Sequence, residues 1–367
     1  MKSDQVGRER RERAVRLALQ ALVFVVVAAY LAFGLATASY TLGCDFLAYH
    51  QAAQRFLAGN PIYDLAITHT GDCGVYQYPP PFVLIALPFS LLGFAAGTWA
   101  WIVFLVACFT VGTFVLPVRR EIRWAILLLG AVSWPFIFGV RIGQVGPILY
   151  LIFAIGWRYV DRPRALGAMI GVGTLVKVQP ALVLGWLVVR RDFRALAAGL
   201  ITFAVGVGAA AAIGLGSWGD FLTVIRNLSD ALTVPTNLSL GATVYARGFG
   251  LQAASAIQLA NTVALVGLVA VGAWALSREA GYLLAVVASQ AISPILWDHY
   301  ALILLLPVAW LLNRRQWWAG VIPVSQAWVL VPYESVLLYT AAFYVVLLAI
   351  VVVGWERRPR QVAVAPA

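Results

Sequence analysis

Residues 14–38 read AVRLALQALVFVVVAAYLAFGLATA, and the first acidic residue after them is Asp45, between Cys44 and Phe46. The apolar stretch is long enough to cross a bilayer, because a membrane-spanning helix needs about 20 predominantly apolar residues. An acid placed just beyond such a helix is expected to lie at the membrane surface. There a water-soluble group can meet a lipid-borne one, so we take Asp45 as the centre of the interpretation.

The whole chain has the composition of a membrane protein. Of its 367 residues, 62% are hydrophobic and 11% are charged, and the mean hydropathy is +0.88. Soluble domains carry about 25% charged residues. We therefore predict an all-α, polytopic membrane protein that forms a single integral domain over residues 1–367. The formal net charge of +11 comes from short basic clusters between apolar runs, which is typical of cytoplasmic anchoring, so no nucleic-acid partner is expected.

The required span length and the preference of Lys and Arg for cytoplasmic loops predict about twelve spans, with both termini in the cytoplasm. All but five of the 26 Lys and Arg residues then lie on the cytoplasmic side. The predicted spans lie near residues 15–37, 95–117, 123–139, 146–158, 165–177, 180–190, 194–214, 250–276, 279–292, 299–313, 317–331 and 336–354. The short pair 165–177 and 180–190 forms either two spans or one re-entrant hairpin.

Outside the spans, the sequence predicts a basic cytoplasmic N-terminus (residues 1–14) and a cytoplasmic tail (355–367). It also predicts two large extracytoplasmic loops, the first at residues 39–93 and the second at residues 215–249. The first loop is expected to contain interfacial helices. One is amphipathic and covers residues 46–58. The other covers residues 78–92, where prolines and only about a dozen apolar residues do not suit a full crossing.

Two of the three cysteines, Cys44 and Cys73, bracket the first loop. In an oxidising compartment they would pair and fix the segment that carries Asp45, with a chain-entropy gain of roughly 3 to 4 kcal/mol. Cys108 lies inside an apolar run and is interpreted as a buried small hydrophobic residue. No set of His and Cys residues has metal-ligand spacing, and no phosphate-binding GxxxxGK[ST] loop is present. We expect neither a metal nor a cofactor.

Asp45 has two interpretations. A carboxylate half-buried at a membrane surface can serve as a general base when its pKa is tuned. Alternatively, Asp at the start of a helix accepts backbone N–H bonds as an N-cap. His299 follows Trp297 and Asp298 at the end of an apolar helix, and a titratable group there is either functional or part of an interfacial belt. His50 and His69 have weaker claims.

Lys177 stands in a long stretch almost devoid of charge. A cation at membrane depth costs about 2.5 to 3.5 kcal/mol, so it usually has a partner, and a lipid phosphate is a natural one. Arg141 and Arg247, predicted on the same side, would join it. Otherwise these side chains extend to the interface to reach water. Gln144 is either a neutral hydrogen-bonding group or part of a plain turn.

Several short motifs, in order along residues 40–310, resemble glycosyltransferase family 87. Members of that family are polyprenyl-phosphate-mannose-dependent mannosyltransferases with the GT-C membrane fold. The matching pieces are Asp45-Phe46 with Tyr49, Ala52-Ala53, Leu57-Ala58-Gly59 and Tyr63; Tyr76-Gln77-Tyr78-Pro79-Pro80; Gly143-Gln144; Lys177 with Pro180; and Ser293-Pro294 with Trp297-Asp298-His299. Tyr300 departs from the pattern, since a second His often occurs there.

The resemblance implies that Asp45 is the essential acid and that His299 belongs to the active site. It implies an inverting transfer of mannose from a polyprenyl phosphate to a glycolipid or lipoglycan, such as a phosphatidylinositol mannoside. The reaction would take place at the extracytoplasmic face of a bacterial inner (plasma) membrane. The residues expected to bind the donor phosphate or the substrates are Lys177, Arg141, Gln144, Arg247, Tyr78, Trp297 and Asp298.

A transporter or flippase for a lipid or lipid-linked sugar is the alternative function. Broken helices and an intramembrane Lys177 also suit such a protein. A transporter, however, usually places its polar groups near mid-depth between pseudo-symmetric halves. Here the predicted polar groups share one face, and no such halves are visible in the sequence. The sequence therefore favours the enzyme.

Overall fold

The computed structural model describes residues 2–37, 41–66, 73–214, 218–227, 231–327 and 336–355. Within these ranges the chain forms helices and no β-strand, with two isolated bridges, which confirms the all-α prediction. The α-helices are α1 (Lys2–Ala36), α2 (Cys44–Leu57), α3 (Val83–Ser90), α4 (Phe94–Val115), α5 (Arg120–Ala131), α6 (Trp134–Ile142), α7 (Gly146–Arg158), α8 (Pro163–Val176), α9 (Ala181–Val189), α10 (Phe193–Ala212), α11 (Trp218–Asn227), α12 (Leu240–Tyr245), α13 (Leu251–Ala275), α14 (Arg278–Ala291), α15 (Leu305–Asn313), α16 (Val321–Ser325) and α17 (Val336–Gly354). Short 3₁₀ helices cover Pro80–Phe82, Ala231–Thr233, Asp298–Leu304 and Trp317–Gly320.

Five of the described helices are long and apolar enough to cross a membrane. They lie at Arg13–Ala36, Phe94–Val115, Phe193–Ala212, Leu251–Ala275 and Leu337–Gly354. The other predicted spans correspond to shorter helices. Helix α9, for example, is about 14 Å long at 1.5 Å per residue, so it does not cross the hydrocarbon by itself. Residues 328–331 of one predicted span, residues 356–367 of the predicted tail and His69 lie outside the described ranges.

The span predicted near residues 123–139 is not one continuous helix. Helix α5 ends at Ala131, Ser133 is extended, and α6 starts at Trp134. Pro135 is the cause: it has no backbone N–H to donate to the carbonyl of Ala131, and in a continuous helix its ring would clash with that carbonyl. It is tolerated where it stands, in the first turn of α6. The backbone N–H of Trp134 instead donates to the carbonyl of Gln326 at 2.8 Å.

Helices α8 and α10 approach each other through glycines. A Cβ atom added to Gly171 would lie 2.6 Å from the carbonyl oxygen of Gly199, closer than real side chains pack. Small residues let membrane helices approach closely enough for backbone contact. This interface fixes the end of α8, where Lys177 leaves the helix in an extended conformation.

The first helix of the first loop, α2, is anchored by buried aromatic side chains. The ring of Phe46 stacks on Trp101 of α4, with 5.8 Å between the ring centroids. The indole N–H of Trp101 donates to the carbonyl of Gly143 at 2.7 Å. Gly143 ends α6 with a φ of +84°, and a Cβ there would lie 2.9 Å from the Cβ of Phe46. The start of α2 and the end of α6 are therefore packed directly together.

This packing predicts that Gly143→Ala destabilises the protein. The substitution adds a side chain in the left-handed region and a clash with Phe46, which together cost about 1 to 3 kcal/mol. Gly185→Ala is the matched control: Gly185 is exposed in α9 and nothing lies near its Cβ position. That change is expected to be neutral or to stabilise by about 0.5 to 1 kcal/mol. Thermal denaturation of the detergent-solubilised protein measures both, and equal melting temperatures for the two variants would contradict the prediction.

Candidate active site

Asp45 lies in the first turn of α2. The N-cap of this helix is Gly43, with a φ of 74°, and no side chain caps it. The N-cap interpretation of Asp45 is therefore wrong, because the left-handed glycine starts the helix two residues earlier. The carboxylate instead has a partner from a distant segment: its Oδ2 accepts a hydrogen bond from Nε2 of Gln144 at 2.6 Å. Asp45 itself is half-buried.

Gln144 stands between α6 and α7, where it is 4% exposed. Its Oε1 accepts two hydrogen bonds, one from the hydroxyl of Tyr78 at 2.6 Å and one from the backbone N–H of Val145 at 2.8 Å. The hydroxyl of Tyr78 in turn lies 2.9 Å from that of Tyr49. These groups form a continuous buried network that ends on the carboxylate of Asp45.

Lys177 occupies the interruption between α8 and α9. Its backbone is extended, with φ −154° and ψ 145°, and its side chain is half-buried. The ammonium donates to the hydroxyl of Tyr300. It lies 3.8 Å from the centroid of the Tyr300 ring and 5.8 Å from that of Tyr78. A cation over aromatic rings is stabilised by their negative faces, so the helix break holds one positive charge beside the network of Asp45.

His299 belongs to the 3₁₀ helix Asp298–Leu304 and is 4% exposed. Its Nδ1 lies 3.5 Å from the carboxylate of Asp298, and neither ring nitrogen has a hydrogen-bond partner among the described residues. Asp298 also accepts the backbone N–H of His299 at 2.7 Å and the indole N–H of Trp134. Asp298 is thus held in place beside an imidazole whose nitrogens remain available.

The electrostatics of the cluster centre on Asp45. Burial raises the pKa of its carboxyl above the ordinary value, while positive charge on His299 and on Lys177 acts in the opposite direction. Burial disfavours the charged form of an acid, and a nearby cation favours it. The structure therefore brings together Asp45, Gln144, Tyr78, Lys177 and His299 from five separate segments.

Three further residues singled out from the sequence have other contacts. Arg141 donates to the hydroxyl of Thr41, and its carbonyl accepts the backbone N–H of Gly43 at 2.9 Å, so it supports the start of α2. Arg247 is exposed and donates to the carbonyl of Thr243 at 2.7 Å; no contact within the described ranges joins it to Lys177 or Asp45. Trp297 is half-buried against the core.

Sequence reasoning missed two tyrosines as site residues. Tyr300 contacts Lys177, and its position directly after His299 was the available signal. Tyr49 lies four residues after Asp45, so the two share a face of α2. Near them, the amide of Gln179 donates to the hydroxyl of Ser293 at 3.0 Å, which links the loop after α8 to the loop after α14. In the described part of the chain, no group of three or more His, Cys, Asp or Glu residues is placed to hold a metal ion.

The family model of glycosyltransferase family 87 matches residues 76–296, more than half of the chain. This chain belongs to glycosyltransferase family 87. Three residues of the cluster, Tyr78, Gln144 and Lys177, lie inside the family-87 match. Asp45 precedes it and His299 follows it. The structure therefore joins both flanking segments to the matched region.

One curated relative is the polyprenol-phosphate-mannose-dependent alpha-(1-2)-phosphatidylinositol mannoside mannosyltransferase of Mycobacterium tuberculosis. It is 25% identical to this family-87 chain over 183 residues, which cover 44% of this chain and 43% of the relative. The matched region is thus less than half of that enzyme. No solved structure matches the chain.

The structure joins Cys44 to Cys73, with 4.8 Å between their Cα atoms. Mass mapping under non-reducing conditions is therefore expected to find one peptide pair crosslinked through these residues. Reduction should lower the melting temperature, since closing a loop of this length contributes about 3 to 4 kcal/mol. Cys108→Ala, which removes the buried free cysteine, is the control and should leave the crosslinked pair unchanged. Two freely alkylated thiols at Cys44 and Cys73 in the unreduced protein would contradict this prediction.

Proposed function

We propose that this family-87 glycosyltransferase moves mannose from a polyprenyl-phosphate donor to the hydroxyl of a lipid or lipoglycan acceptor, with Asp45 as the general base. The observation that carries the proposal is one carboxylate and one cation in the same cluster, where the charge of Lys177 acts on the carboxyl of Asp45. Asp45, fixed by Gln144, and Lys177, fixed by Tyr300, belong to the same cluster, and both side chains are half-buried.

In the proposed reaction the acceptor oxygen attacks the anomeric carbon of the donor sugar. Asp45 takes the proton of the attacking hydroxyl as the new glycosidic C–O bond forms. The bond between the anomeric carbon and the phosphate oxygen breaks at the same time, and its electron pair leaves with the polyprenyl phosphate. A single displacement of this kind inverts the configuration at the anomeric carbon.

The leaving group explains why one carboxylate suffices. Glycoside hydrolases use two carboxyl groups, one of which protonates a leaving alkoxide. A phosphate monoester is stable as an anion, so it needs electrostatic support more than a proton. Lys177 and the hydroxyl of Tyr300 supply that support in our proposal, and the reaction is proposed to need no cofactor.

His299 is proposed to contact a polar group of the substrates, because both its ring nitrogens are buried and neither has a hydrogen-bond partner in the described residues. Buried polar groups normally have hydrogen bonds. Asp298 and the indole of Trp134 would hold the imidazole in place for this contact. Arg247 has no part in this proposal, since its contacts lie elsewhere.

We further propose that the site faces the extracytoplasmic side of a bacterial inner membrane, with about twelve crossing segments and both termini in the cytoplasm. The distribution of Lys and Arg supports this orientation. The donor and a phosphatidylinositol mannoside acceptor come from the name of the mycobacterial relative, and they are proposals for this chain. Membranes incubated with labelled polyprenyl-phosphate-mannose and a panel of lipid acceptors test them directly. An absence of labelled product with every acceptor would contradict the proposed function.

Asp45→Asn is expected to abolish mannose transfer, because the amide cannot accept the proton of the acceptor. Its matched control is Asp64→Asn. Asp64 forms an ion pair with Arg55 at 3.3 Å in the first loop, and 39% of the Asp64 side chain is exposed. Because exposed ion pairs contribute little to stability, the Asp64→Asn variant should keep its turnover within about twofold of the wild type. Near-normal turnover in Asp45→Asn would remove Asp45 from the mechanism.

The same variant is expected to be more stable than the wild type at neutral pH. Because burial raises the pKa of Asp45 in the folded protein, the charged carboxylate destabilises the fold above that pKa. The gain from Asp45→Asn should therefore disappear as the pH falls below the pKa of an unfolded Asp, where the carboxyl is protonated in both states. Melting temperatures measured across this pH range test the linkage, and a gain that does not change with pH would contradict it.

Lys177→Met is expected to raise the KM for the polyprenyl-phosphate donor by about 10-fold or more, since hydrogen bonds to charged groups contribute about 1.5 to 3 kcal/mol. The KM for the acceptor should change much less. Arg226→Met is the control, because Arg226 is an exposed cation on α11. An unchanged donor KM in Lys177→Met would count against a phosphate contact at this residue.

A further inference from the structure

The orientation of the Gln144 amide is fixed by the backbone. The oxygen and the nitrogen of a side-chain amide have nearly the same shape, so they are assigned from their hydrogen-bond partners. One partner here is the backbone N–H of Val145, 2.8 Å away, which can only donate. The atom facing it must therefore be Oε1. It follows that the NH₂ group faces Oδ2 of Asp45, at 2.6 Å.

The same constraint sets the direction of the other hydrogen bonds in the network. The hydroxyl of Tyr78 lies 2.6 Å from Oε1 of Gln144, so its single proton must point at that oxygen. Its oxygen is then an acceptor for the hydroxyl of Tyr49 at 2.9 Å. Every proton in the chain from Tyr49 through Tyr78 to Gln144 therefore points towards Asp45.

A network with this direction cannot carry a proton away from Asp45. The primary amide of Gln144 does not titrate in the accessible pH range, and it separates the carboxylate from the tyrosines. Its N–H occupies one lone pair of Oδ2 of Asp45. No hydrogen bond among the described residues reaches Oδ1, so Oδ1 is the less engaged oxygen and the better placed one for a substrate hydroxyl. The amide thus fixes the rotation of the carboxylate without taking part in proton transfer.

We propose that Gln144 is a positioning residue that turns Oδ1 of Asp45 towards the acceptor hydroxyl, and that the buried tyrosines Tyr49 and Tyr78 hold this amide rather than relay a proton. The inference rests on the proposed role of Asp45 as general base. The proton that Oδ1 accepts from the acceptor leaves towards substrate and solvent and does not pass through the tyrosines.

Two substitutions separate positioning from relay. Gln144→Glu keeps an oxygen for Val145 and Tyr78 but places a carboxyl against Asp45, so the two acids share one site and one of their pKa values rises. Tyr78→Phe removes the hydroxyl that links Gln144 to Tyr49, and with it any relay through these tyrosines, while Val145 still fixes the amide. The other ionisable groups around Asp45, namely Lys177, His299, Tyr49 and Tyr300, remain in both variants.

Gln144→Glu is expected to lower kcat by about 10- to 100-fold, as misplaced catalytic groups do. It should also move the acid limb of the kcat profile to higher pH and leave donor binding within about threefold of the wild type. Tyr78→Phe should keep the wild-type acid limb and lose less than about 10-fold in kcat. Gln54→Leu is the matched control, because Gln54 is an exposed glutamine on α2 whose amide donates to the carbonyl of Ser90 at 3.1 Å.

Purified protein in nanodiscs, labelled polyprenyl-phosphate-mannose and the acceptor identified for the wild type supply the kinetic assay, and equilibrium binding of the donor supplies a second readout. An unchanged acid limb in Gln144→Glu would overturn the inference. A loss of donor binding by more than about 10-fold in Gln144→Glu would also overturn it, because Gln144 would then be a donor contact. A loss of all transfer in folded Tyr78→Phe would overturn it as well, because that result would indicate a proton relay. If Gln144→Glu turns over too slowly for a pH profile of kcat to be measured, the donor-binding measurement alone decides whether Gln144 is a positioning residue or a donor contact. A wild-type protein that transfers no sugar would instead overturn the proposed function.

Discussion

Hydrocarbon offers no partner to a backbone N–H or C=O group, so a chain as apolar as this one must be helical wherever it meets lipid. Interruptions are tolerated only where other protein groups replace the lost bonds. At the start of α2 the backbone N–H of Gly43 bonds to the carbonyl of Arg141, and in the loop before α12 that of Leu238 bonds to Leu296 at 2.7 Å. The interruptions therefore satisfy one another, which requires them to lie close together.

That requirement also assembles the site. Asp45 lies in the first turn of a helix, and Gln144 lies between two helices. Lys177 follows the end of another helix, and His299 lies in a 3₁₀ segment before α15. A polar side chain within a continuous membrane helix would face lipid or its neighbours at a cost. At an interruption it joins backbone groups that already need hydrogen bonds, so the polar residues of an otherwise apolar chain collect at one place.

The sequence was sufficient to predict the helical membrane class and to single out Asp45, Gln144 and Lys177, since each of the three residues stands out against an apolar background. It was not sufficient for the details that depend on three-dimensional contacts. Asp45 before a helix has the pattern of an N-cap, and only the left-handed Gly43 shows that the helix starts earlier. Arg141 carries the same charge as Lys177, yet its contact with Thr41 assigns it to the start of α2. Pro135 indicated a helix break near Ser133, but the apolar residues on both sides of it favoured a single span.

The hydrogen bonds show what each segment contributes to the position of Asp45. The acid lies outside the region that matches glycosyltransferase family 87, while the amide that holds it, Gln144, lies within that region. Trp101 connects the two, because its ring packs on Phe46 beside Asp45 and its indole N–H bonds to Gly143 beside Gln144. The first loop could therefore not present its carboxylate in this position if it folded alone. The position of the carboxyl group is set by the end of α6 and the start of α7, and the first loop contributes the carboxyl group itself.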